Sequence, residues 1–246
     1  MTYQHNNDLY LTYSPARGYW NFVLYVEPSG PPVSAINAGR LFWLSTSRYA
    51  TEWRDRLIAC TPNALHVMLA GQSNAPELWH PCVYDDPQSP AAIGDGCDCW
   101  KTFYDPVTGL PVAANHELPL GRAQERWQYH TYAPLSLPEN ERLTVLVIDR
   151  ETGLFWVRTD HETLQILPER QSNGYEVGYR GGGPTELARM IEKIVRSDGQ
   201  DVSAGTPRPG MPDKKVLNWV SSAAADRTQE FTLDQLKLLC RSGMVA

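Results

Sequence analysis

Apolar and β-branched residues crowd two short runs at the start of the chain, Leu9 to Tyr13 and Tyr19 to Val26, and Pro15 to Gly18 separates them. This pattern predicts a β-hairpin. In the second run Trp20, Phe22, Leu24 and Val26 make one fully apolar face, and Tyr19, Asn21, Val23 and Tyr25 make a mixed one. After the loop Pro28 to Pro32, the run Arg40 to Leu44 precedes Ser45, Thr46 and Ser47, any of which suits the cap of a helix starting near Arg48. Tyr49, Trp53 and Leu57 then fall at helical spacing, and Ile58 and Cys60 extend that stripe. From Gly71 to Asn140 the periodicity fades under frequent prolines, which predicts loops with short strands. Its many aromatic residues, among them Trp79, Trp100, Trp127 and Tyr129, argue against plain disorder.

Regular patterning returns with Leu143 to Ile148, the turn Arg150 to Gly153, and Leu154 to Arg158, which read as a second hairpin. Leu164 to Leu167 and Tyr175 to Tyr179 read as further strands. The segment Tyr175 to Val195 is expected to run as strand, glycine-rich turn and helix, with Leu187, Met190, Ile191 and Ile194 on the buried stripe. Within it Pro184 suits the first helical position, and Glu186 sits in the first turn. A Gly- and Pro-rich linker, Gly199 to Pro212, leads to a helix at about Lys214 to Ala225, and a third helix follows Thr232. The expected fold class is α+β. Residues 1–140 form an N-terminal hairpin-plus-helix region with a loop-rich, aromatic-rich segment, and residues 141–246 form a C-terminal module of a small sheet with three helices.

The chain has 246 residues, 42% apolar and 20% charged, which is ordinary globular composition with enough length for a packed core. A net charge of -6 argues against the basic face that duplex DNA requires. No stretch is long and apolar enough to span a bilayer, and Met1 to Asp8 lacks the regions of a signal peptide, so the expected compartment is the cytoplasm. Five cysteines, an odd number, fit reduced thiols or metal ligands better than a secreted disulfide framework.

Two constellations carry chemistry. Glycine-lined helix starts expose unpaired amides, so Gly181, Gly182, Gly183 and Thr185, with Arg180 and Arg189 as cationic helpers, are the candidate anion site. The turn reads first as pure architecture and only secondarily as that anion site, because it lacks the Lys-Ser/Thr of a phosphate-binding loop and carries Glu186. His80 and Cys82 with Cys97 and Cys99 are the candidate zinc ligands: four soft donors complete a tetrahedral site that would pin the loop-rich middle. The alternative there is a set of reduced thiols. Cys60, Cys240, His66, His116, His130 and His161 are scattered without a local catalytic signature.

The segment Gly174-Tyr-Glu-Val-Gly-Tyr-Arg-Gly-Gly-Gly-Pro-Thr-Glu-Leu-Ala188 resembles the signature of a bacterial and phage domain family with no assigned activity. Its members typically read Gly-Phe-Glu-Trp-Gly-Tyr-Gly-Gly-Ser/Thr-Gly-Pro-x-x-Leu-Ala. The sequence departs from it at Val177, Arg180 and Gly182, and the last departure removes a hydroxyl. Leu164 to Arg170, Val216 to Val220 and Thr232 to Leu239 extend the likeness. The resemblance implies a bacterial or mobile-element setting and no chemistry. The leading functional expectation is therefore a non-enzymatic binding or accessory protein that contacts a protein partner or a small anionic ligand. A metal-dependent enzyme acting on a nucleotide or other phosphorylated compound is the second reading, and a structural subunit of a phage or defence assembly the third.

Overall fold

The computed structural model describes residues 9–14, 19–24, 39–43, 47–63, 65–66, 69, 100–117, 126–169, 174–204 and 210–243. The fold is α+β, and every strand pairing within the described residues is antiparallel. Strands β1 (Leu9–Ser14) and β2 (Tyr19–Leu24) form the expected hairpin. A five-stranded sheet has the order β3-β7-β6-β5-β4, from β3 (Gly39–Trp43), β4 (Ile58–Ala59), β5 (Trp100–Tyr104), β6 (Pro111–Glu117) and β7 (Arg126–Tyr132). A four-stranded sheet has the order β10-β9-β8-β11, from β8 (Leu143–Asp149), β9 (Leu154–Thr159), β10 (Leu164–Ile166) and β11 (Gln229–Thr232). The helices are α1 (Arg48–Asp55), α2 (Gly182–Arg196), α3 (Lys214–Val220) and α4 (Leu233–Ser242).

The four-stranded sheet is buried on both faces, which is why β8 and β9 read as nearly unbroken apolar runs. On one face Leu146, Ile148, Phe155 and Val157 pack with Leu187, Ile191 and Ile194 of α2, Val216 and Val220 of α3, and Leu236 and Leu239 of α4. On the other, Val147, Leu154, Trp156, Leu164 and Ile166 pack with Tyr49, Ala50 and Trp53 of α1 and with Val112, Ala114 and Tyr129 of the five-stranded sheet. This second core draws on residues from both sides of position 140.

Two buried aspartates anchor the second core. Trp53 Nε1 donates to Asp105 Oδ2 at 3.1 Å, and Trp156 Nε1 donates to Asp149 Oδ2 at 3.1 Å. The two indoles lie against each other, ring centres 6.2 Å apart. The Arg56 guanidinium closes on both Asp105 oxygens, at 2.9 and 2.7 Å. Ser47 caps α1 through the Ala50 amide and also donates to Asp149 at 2.6 Å. The serine thus selects the helix start and ties it to β8.

Several expectations are corrected. Residues 174–180 are irregular rather than a strand, because Gly178 turns to φ +87° and donates its N–H to Val220 O instead of to a ladder. Helix α2 starts at Gly182, so Pro184 stands third, where its missing N–H still breaks no helical bond, and Glu186 lies beyond the first turn and pairs with Arg189. Helix α1 stops at Asp55, and Ile58 turns out to solvent at 44% exposure instead of extending the apolar stripe. The helix expected over Lys214 to Ala225 ends at Val220 and continues as turns. Strand β11 was not expected.

Candidate functional site

The glycine-rich turn is held from three sides. A Cβ on Gly183 would lie 2.6 Å from Glu176 Cβ, so the helix start and residue 176 are in direct backbone contact distance. A Cβ on Gly178 would lie 2.9 Å from the Asp226 side chain. Arg150, in the turn between β8 and β9, pairs with both carboxylates, Nε to Asp226 Oδ1 at 2.7 Å and a terminal nitrogen to Glu176 Oε2 at 3.3 Å. Val177 is buried in the helical core, and Tyr175 packs edge-on against Phe155 while donating its hydroxyl to Pro168 O. Most of the family-like signature is thereby spent on packing.

The six candidate anion-site residues are only partly brought together. Gly182 is exposed with nothing within 4 Å of a Cβ placed on it, and Arg180 is exposed beside it. Thr185, by contrast, donates both its N–H and its hydroxyl to Gly181 O, at 3.2 and 2.8 Å. Arg189 turns away from the amides, bonding to Glu186 and, at 2.7 Å, to Gly210 O. What remains open to an anion is the Gly182 corner with Arg180.

His80, Cys82, Cys97 and Cys99 lie outside the described residues. Among the described residues no group of three or more His, Cys, Asp or Glu is arranged to hold a metal ion. No helix among them is long and apolar enough to cross a membrane.

The fold does assemble one cluster that sequence spacing leaves scattered. Cys60 follows β4, and its N–H donates to Thr102 O while Thr102 Oγ1 donates to Cys60 O at 2.6 Å. Its Sγ lies 3.8 Å from His66 Nε2. The His66 ring is buried, at 1% exposure, with Nε2 2.8 Å from Phe103 O and Nδ1 3.0 Å from Asn63 Oδ1. Asn63 Oδ1 also accepts the Leu65 and His66 amides, which fixes the turn that carries the histidine, and the Asn63 N–H lies 3.2 Å from Nδ1. Burial pushes the Cys60 thiol up, and a Thr102 hydrogen bond opposes it. Cys240, the other described cysteine, is pushed up to about 11 by burial and by the nearby Glu192 and Asp213 carboxylates.

Among the described residues two open clefts stand out. One, of about 430 Å³, lies where the start of α1 meets β8 and β11 and is lined by Arg48, Tyr49, Asp149 and Glu230. The Arg48 guanidinium stacks on the Tyr49 ring and bonds Glu230 at 2.7 Å, so its charges are answered within the chain. The other, of about 460 Å³, lies between residues 136–142 and 200–203. Its carboxylates are likewise engaged, Glu141 by the Thr159 hydroxyl and Asp201 by Lys193.

No protein-family model matches the chain, and no curated protein or solved structure resembles it significantly.

Proposed function

We propose that this protein acts by binding rather than by catalysis, as a cytoplasmic accessory protein of bacterial or phage origin. Its primary partner is another protein, and a small anionic ligand at the Gly182 corner is the secondary form of the same reading. The observation that carries the protein-partner form is at the end of the five-stranded sheet. Ile58 of β4 and Tyr104 of β5 stand directly opposite each other at the outer edge, 44% and 37% exposed, with Leu65 47% exposed on the turn that follows β4. Large apolar side chains grouped at a sheet edge suit contact with another chain. The net charge of -6 favours a protein or small molecule over duplex DNA.

In-cell crosslinking in the native host tests this reading, comparing the wild type with an Ile58→Asp, Tyr104→Asp double variant of unchanged melting temperature. A species crosslinked to the wild type and lost from the variant supports it. Identical crosslinks for both, or none, overturn the protein-partner form. For the anion form, melting is followed with inorganic phosphate and with nucleotides. A ligand that binds only the native state raises the melting temperature, and Arg180→Ala should abolish that rise.

A further inference from the structure

We draw no further inference here: the strongest candidate, the acidic cleft of about 460 Å³ between residues 136–142 and 200–203, is lined by carboxylates already held within the chain, Glu141 by the Thr159 hydroxyl and Asp201 by Lys193, and Gln165 Oε1, the nearby buried acceptor without a partner among the described residues, does not line it.

Discussion

At Gly183 and Gly182, adjacent residues of one motif, the structure demands opposite outcomes from the same substitution. A methyl group at Gly183 has no room beside Glu176, whereas Gly182 faces open space. Gly183→Ala should therefore lower unfolding stability by roughly 1–3 kcal/mol, the usual scale for forced overpacking, and Gly182→Ala should leave it within about 0.5 kcal/mol in the same urea titration. The reason at Gly183 is close approach; the left-handed backbone belongs to Gly178, φ +87°. His130 gives a second residue-scale expectation. It is 5% exposed, and burial pulls its pKa from 6.5 down to about 4. The unfolded chain takes a proton near pH 6.5 and the native chain resists it. Stability from this group is thus complete above pH 6.5 and is lost as pH falls towards 4. Urea denaturation should show a loss of about 2 kcal/mol between pH 7 and pH 5 that is absent from His130→Gln.

Helix α4 illustrates how local chemistry sets an element. Thr232 accepts the Gln235 amide, the Gln235 side chain returns to the Thr232 N–H, and Gly243 at φ +76° closes the other end. Thr232→Ala should cost about 1 kcal/mol, measurable as a lowered melting temperature. Such signals are readable in sequence, and so are the hairpin of β8 and β9 and the Ser47 cap of α1. Strand β11 is not, because Phe231 is its one buried residue and its pairing with β8 decides its conformation. The strand expected at Tyr175 to Tyr179 fails for the converse reason: the alternation is present, but Gly178 breaks the extended backbone and Glu176 and Tyr175 are recruited singly by Arg150 and Phe155. The contacts of Cys60 and His66 with Thr102 and Phe103 are not legible in the sequence, because they depend on β4 pairing with β5, about forty positions further on.

Across the whole molecule, the Trp53 and Trp156 indoles and their two aspartates join the five-stranded sheet to the four-stranded one. Trp53→Ala should destabilise by roughly 3–5 kcal/mol and lower the melting of both sheets together, since the cavity opens into their shared core. The zinc expectation at His80, Cys82, Cys97 and Cys99 is tested at this scale by elemental analysis and by melting with and without a chelator; bound zinc and a chelator-lowered melting temperature are the outcomes that sustain it.

The four-stranded sheet covered on both faces also governs what can be cut away. A fragment of residues 141–246 keeps helices α2 to α4 on one side, yet it strips α1 and the five-stranded sheet from Val147, Leu154, Trp156, Leu164 and Ile166. Expressed alone, that half would carry a wide greasy face with a tryptophan at its centre, and it should aggregate or recruit a substitute cover. In evolutionary terms such a module travels between proteins only if its new neighbour brings a lid for that face.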